Sequence, residues 1–139
     1  MTMLRVVSPF TSLLGIGASV LLGSSAIVHT QGRNDMATSQ ILMFHWAVRD
    51  PDGLPVLDDT DKTLFGVPPG GTEDRMTPRF DLDKTGIYTV TIELLMNPDN
   101  PVVVDSYEGD LCVVTEEYAG SITKKELEYD NVRGPIPVY

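Results

Sequence analysis

Five aspartates crowd one short stretch, Asp50, Asp52, Asp58, Asp59 and Asp61, and hard carboxylate oxygens at that density are the donors a calcium ion takes. The spacing does not make an EF-hand loop: Gly53 stands fourth from Asp50 rather than sixth, and no glutamate follows where the closing bidentate ligand belongs. The run reads as a solvated acidic loop. His29 and His45 are the only histidines, too few for a catalytic zinc centre, which takes three protein ligands. His45 is expected on a strand, facing solvent or a partner. The lone cysteine, Cys112, lies between Leu111 and Val113 with no basic neighbour, so nothing in sequence would lower its pKa and it reads as a small packing residue. Glu116 and Glu117 could be drawn as the acid and base of a glycosidase, but neighbours on a strand point to opposite faces and cannot flank one bond. No catalytic residue, metal-ligand set or cofactor is expected, and the chain is not expected to be an enzyme.

Composition narrows the field further. With 139 residues, 42% of them apolar and only 22% charged, the chain has the length of one domain and too much apolar content for intrinsic disorder. A single cysteine excludes an internal disulfide. Ten basic against twenty acidic residues give a charge of −10, with no basic run to track a phosphate backbone, so nucleic acid is not an expected partner.

The charge is unevenly spread. From Asn34 to Tyr139 the chain carries 8 basic and 20 acidic residues, whereas Val6 to Gly32 is 27 residues without Asp, Glu, Lys or Arg. The apolar heart of that segment, Phe10 to Val28, is 19 residues long, and at about 1.5 Å per residue a helix of that length reaches roughly 28 Å, close to the thickness of a bilayer's hydrocarbon core. Two readings compete. Arg5, an apolar stretch around Leu13 to Leu22, and Ser24 with Ala26 also describe a cleavable secretory signal. The uncharged span exceeds the apolar region of a typical signal peptide, which favours a retained anchor with its C-terminal side exported. On such a helix Gly15, Ser19 and Gly23 fall at i, i+4 and i+8, a stripe of small residues that lets a second membrane helix approach closely.

Beyond a polar stretch at Asn34 to Gln40 the periodicity changes to two. Ile41 to Arg49 reads as a strand, with Leu42, Phe44, Trp46 and Val48 on the inward face, and Asp50-Pro51-Asp52-Gly53 ends it as a turn. Leu54 to Leu57 returns as a short strand. Asp58 to Gly71 reads as a loop with a brief extended piece at Thr63 to Val67. Strands are expected at Met76 to Leu82, at Ile87 to Met96 with Tyr88, Val90, Ile92 and Leu94 sharing a face, at Val102 to Asp105 and at Asp110 to Thr115, so the middle of the chain is a small sandwich or barrel. Thr123 and Glu126 fit a capping box for one short helix ending near Tyr129, and Gly134-Pro135-Ile136-Pro137 forces an extended tail.

The stretch Gly86-Ile87-Tyr88-Thr89-Val90-Thr91-Ile92 resembles the G-x-Y-x-V-x-L strand of immunoglobulin-like sandwiches, in particular PKD-type surface domains, and Phe80-Asp81-Leu82 fits the strand before it. Trp46 to Gly53 is similar to their W-x-V-x-D-P-x-G strand and turn. The resemblance covers Ile41 to Thr115. It implies Trp46 as the core aromatic and Tyr88 as a tyrosine corner whose hydroxyl folds back onto nearby backbone. The paired cysteines of antibody domains and the W-D-F-G-D-G core of PKD repeats are absent, so the resemblance bears on fold and not on activity.

The expected architecture is mainly β: a transmembrane anchor or uncleaved signal over 1–33, a linker over 34–40, an Ig-like antiparallel β-sandwich over 41–115, and a short helix with an extended tail over 116–139. The expected function is a non-catalytic, single-pass, membrane-anchored accessory or structural subunit. Its partners would be other protein subunits of a membrane or cell-envelope assembly, together with the bilayer. Ile136, Val138 and Tyr139 are the candidate partner-binding residues, since a monomer would expose them to no purpose. The alternative is a secreted adhesion or glycan-binding module that has lost its leader.

Overall fold

A computed structural model describes residues 2–8, 12–116, 122–124, 128–130 and 134–136. The described strands are β1 (Thr2–Ser8), β2 (Ser12–Gly15), β3 (Ala18–Leu21), β4 (Ser24–Arg33), β5 (Met43–Arg49), β6 (Pro55–Lys62), β7 (Thr72–Met76), β8 (Phe80–Leu82), β9 (Gly86–Met96), β10 (Val102–Thr115), β11 (Glu128–Asp130) and β12 (Gly134–Ile136). They form two sheets of a β-sandwich and a separate small hairpin of β11 and β12. In the first sheet β1 lies between β2 and β4, while β7 and β8 follow one another along the other side of β4, all antiparallel. The second sheet runs β3-β10-β9-β5-β6, antiparallel except where β3 lies parallel to β10.

The N-terminal segment departs from its sequence reading. No transmembrane helix is present among the described residues of 10–28, which form β2, β3 and the first half of β4 with the turns between them. Glycine explains much of this, because each residue of it inside a helix costs about 1 kcal/mol relative to alanine. Gly17 and Gly23 also take positive φ values of 89° and 86° in the turns before β3 and β4, a conformation no helix tolerates. The apolar residues before, between and after these turns alternate as strands do, and their inward members, Leu4, Val6, Val20, Ala26 and Val28, are buried in the sandwich. What looked like lipid-facing surface is protein core. Consequently Gly15, Ser19 and Gly23 share no helical face: Gly15 pairs with Met3 in the first sheet, Ser19 with Val113 in the second, and Gly23 sits in a turn.

The expected core at the centre of the chain is found as read. Phe44, Trp46 and Val48 of β5 and Tyr88, Val90 and Ile92 of β9 are buried, with Leu94 partly buried against them. Phe44 and Trp46, two residues apart on one face, stack with ring centroids 5.8 Å apart. Trp46 is fully enclosed, and its indole Nε1 donates to Thr30 Oγ1 of β4 at 3.0 Å, a side-chain hydrogen bond that joins the two sheets through the core. Tyr88 Oη accepts from the Lys84 N–H at 3.1 Å, so the hydroxyl folds back onto backbone as a tyrosine corner does.

Further elements differ from the reading: Met76 to Leu82 is divided between β7 and β8, and β10 runs unbroken from Val102 to Thr115 where two strands are expected. The acidic run at Asp58 to Lys62 continues β6 along the edge of the second sheet rather than looping out. An edge strand needs backbone partners on one side only and tolerates charge on its exposed faces. At the other end, residues 128–130 are strand rather than helix, since Tyr129 pairs with Pro135. Glu126, the second member of the expected capping box, lies outside the described residues.

Candidate binding cleft

The two sheets do not close against each other along their whole length. β10 is paired with β9 from Val102 to Val114, but β3 covers its other side only at Cys112 to Thr115. Across the gap lies the end of β4, which pairs with β7 at Gln31 to Arg33. Among the described residues, the Gln31–Arg33 segment of β4, paired with β7, and the Val104–Tyr107 segment of β10, paired with β9, border the same open side. Between them lies a cleft of about 460 Å³ lined by both segments, with Leu94 and Met96 from β9 and Met36 and Thr72 from neighbouring segments. An adjoining hollow of about 170 Å³ shares Gln31, Gly32, Leu94 and Asp105 with it and reaches Phe44, Ile92 and Tyr107.

Side-chain phase makes this cleft unusual for a sandwich. Asp105 stands opposite Leu94 and Tyr107 opposite Ile92, and directly opposed residues of an antiparallel pair project to the same face. A carboxylate and a phenol thus occupy inward positions where apolar side chains belong. Neither is covered by the first sheet, and Tyr107 remains 43% exposed. On the other wall Gly32 is closely packed, since a Cβ there would stand 2.9 Å from Phe44 Cζ and 3.1 Å from Leu94 Cδ1 and would force these side chains to shift.

Asn34, just beyond β4, fixes the rim. Fully buried, its Nδ2 donates to the carbonyls of Thr38 and Val67 at 2.9 and 2.7 Å, and its Oδ1 accepts from the Met36 N–H at 2.9 Å. Its backbone also bonds Gly71 and Gly70. One amide thereby ties the Asn34–Gln40 stretch to the loop carrying Leu64 and Phe65, which are 84% and 83% exposed. Beside it Arg33 Nε donates to Asp35 Oδ1 at 2.5 Å, with Nη2 to Oδ2 at 3.5 Å.

The residues singled out by sequence lie elsewhere. Four of the five aspartates are divided among three basic side chains: Lys84 Nζ reaches Asp50 at 2.8 Å and Asp52 at 3.1 Å, Asp58 meets His45, and Asp61 meets Arg75 at 3.5 Å. Asp50 is held below its usual pKa chiefly by the Lys84 hydrogen bond. His45 lies on the outward face of β5, with Nδ1 2.7 Å from Glu93 Oε1 and Nε2 2.8 Å from Asp58 Oδ1. Burial works to lower its pKa, but the hydrogen bonds to Glu93 and Asp58 and their charges outweigh that and raise it. Cys112 is buried in β10, and desolvation pushes its thiol up to about 11, the opposite of an activated nucleophile. Ile136 contributes backbone to β12 opposite Glu128. Its side chain, and Val138 and Tyr139 entirely, lie outside the described residues, as does Glu117.

Sequence reasoning missed Gly32, Asn34, Asp105 and Tyr107. For the last two a signal existed: β9 fixes which phase is inward, and Asp105 and Tyr107 carry that phase onto the facing strand. Comparison with known proteins bears on the fold alone. No family model matches the chain, and no curated protein matches it in sequence. Among solved structures it is similar to the C-terminal domain of wzt, with a TM-score of 0.60 at 10% identity over 92% of this chain and 81% of that one. A protein from Archaeoglobus fulgidus gives a TM-score of 0.48 at 11% identity over 79% of this chain and 91% of that one.

Proposed function

We propose that this chain is a non-catalytic recognition module whose inter-sheet cleft binds a polyhydroxylated ligand of the glycan class. The observation that carries the reading is the pair Asp105 and Tyr107, inward in phase yet exposed, above a partly apolar floor of Leu94, Ile92 and Phe44. A sugar ring offers hydroxyl groups that donate and accept together, and an apolar face of C–H bonds. Carboxylate, amide and hydroxyl groups match the first, and a tyrosine ring matches the second. The finer Ig-like and PKD-like character of the sandwich belongs to this proposal too, supported by the Tyr88 corner and the enclosed Trp46.

The test is an array of neutral, amino-bearing and acidic oligosaccharides probed with the full chain, followed by calorimetry on the best ligand. Binding is expected, with Tyr107→Ala weakening it about tenfold, the loss typical of one aromatic contact worth about 1–1.5 kcal/mol. A blank array, or a Tyr107→Ala variant that binds as the parent does, rejects the glycan reading.

A second reading, a protein-docking accessory subunit of a membrane or envelope assembly, is favoured by the two adjacent apolar side chains Leu64 and Phe65, which stand almost wholly in solvent. In that case Leu64→Ser with Phe65→Ser releases co-purifying subunits while the glycan array stays unchanged. Retention of the same subunits by the double variant counts against it.

A further inference from the structure

Two of the charges at the cleft neutralise each other and a third does not. Arg33 is turned onto Asp35 through both Nε and Nη2, so neither presents a full charge to a ligand. The Asp105 carboxylate accepts from the adjacent Ser106 N–H at 2.9 Å, and among the described residues no Lys, Arg or His stands within ion-pair distance of it. Two residues on and in the same phase, Tyr107 lies across Gly109: a Cβ at Gly109 would stand 2.9 Å from Tyr107 Oη and 3.2 Å from Cζ. Tyr107 Oη donates to the Asp110 carbonyl at 3.1 Å, which pins the ring along the strand.

An uncompensated carboxylate lining the same hollow as a fixed, exposed phenol ring matches an amino sugar, the carboxylate taking the ammonium and the ring the C–H face of the pyranose. Resting on the glycan reading above, we infer that the cleft selects amino-bearing sugars, seating the ammonium at Asp105 and the sugar face at Tyr107, over their N-acylated and acidic counterparts. The chain's net charge of −10 acts in the same direction by repelling anionic glycans at long range. A lysine side chain carries the same ammonium, but it must freeze a flexible four-carbon stem to deliver it, whereas a pyranose ring presents its amine already oriented.

Calorimetry with a glucosamine tetramer, its fully N-acetylated form, a galacturonate tetramer and tetralysine separates the cases. The glucosamine tetramer is expected to bind at least tenfold more tightly than the other three. Asp105→Asn is expected to reduce that preference to about twofold or less while leaving the N-acetylated form within about twofold of its parent affinity. Asp99→Asn removes the same unit of charge from an exposed turn outside the cleft, and it is expected to keep the preference intact. Equal binding of the N-acetylated or galacturonate tetramer overturns the selectivity but leaves the glycan reading standing. Tetralysine binding as tightly as the glucosamine tetramer, or Asp99→Asn acting as Asp105→Asn does, overturns the sugar assignment in favour of general attraction to cations. Absence of binding by all saccharides here and on the array overturns both.

Discussion

Replacing Thr30 by valine changes one hydroxyl to a methyl group of nearly the same size, at a buried position in the middle of β4. On packing and strand propensity alone the change is neutral or favourable, since valine is more apolar and at least as well suited to a strand. The hydrogen bond decides the sign. Trp46 Nε1 donates to Thr30 Oγ1 at 3.0 Å inside the core, and with the acceptor gone a buried N–H is left without a partner, a cost of about 1–3 kcal/mol. An unfolding entropy of about 2.1 cal/mol/K per residue, taken over 139 residues, makes this a fall of about 3–10 °C in Tm. A double-mutant cycle isolates the cause: in a Trp46→Phe background the donor is absent, so Thr30→Val is expected to cost nothing or to stabilise. The assay is thermal or urea unfolding of the four proteins. A Thr30→Val single variant that melts at or above the parent, or equal effects in the two backgrounds, refutes the idea that this bond couples the sheets.

Two other expectations follow from the geometry. Gly32→Val drives new carbon atoms against Phe44 and Leu94, already 2.9 and 3.1 Å from where the Cβ would be; overpacking of about 1–3 kcal/mol should appear in the melt, and saccharide binding should be lost because the cleft floor is filled. His45, its pKa raised in the folded state above the ordinary 6.5, contributes stability that is complete below that value and is lost as pH rises through the folded one; Tm is expected to decline on passing from mildly acidic to alkaline pH, and His45→Gln to flatten that slope, with parallel profiles for the two proteins contradicting the role of the Glu93 and Asp58 contacts.

How much could be read without coordinates depended on whether an element declares its own burial. β5 and β9 do: their large apolar residues alternate, and the inward set including Trp46 and Tyr88 followed from the phase alone. The segment that became β1 to β4 does not, because 27 uncharged residues satisfy the requirement of a bilayer and of a buried sheet equally well. What separates the two is the recurrence of glycine at Gly15, Gly17 and Gly23, punctuation suited to short strands and poor for a membrane helix, and that signal was outweighed by length. β6 was misread from Asp58 onward for the opposite reason, since acidic composition argued against a strand that pairing on one side sufficed to hold. The cleft has no local signature, since no short-range pattern records that β3, distant in sequence, covers β10 only from Cys112 onward.

The parallel pairing of β3 with β10 has a consequence for how the molecule is made. Ala18 finds its register against Cys112, so one strand must wait for a partner synthesised much later. Such non-local closure slows folding. Throughout that interval on the ribosome, the uncharged run from Val6 to Gly32 has no acidic or basic gatekeeper of its own, and its inward residues lack their cover until the second sheet exists. Nascent chains that end before β10 should therefore bind chaperones or self-associate, and release of β10 from the exit tunnel should be the step that renders the N-terminal strands soluble.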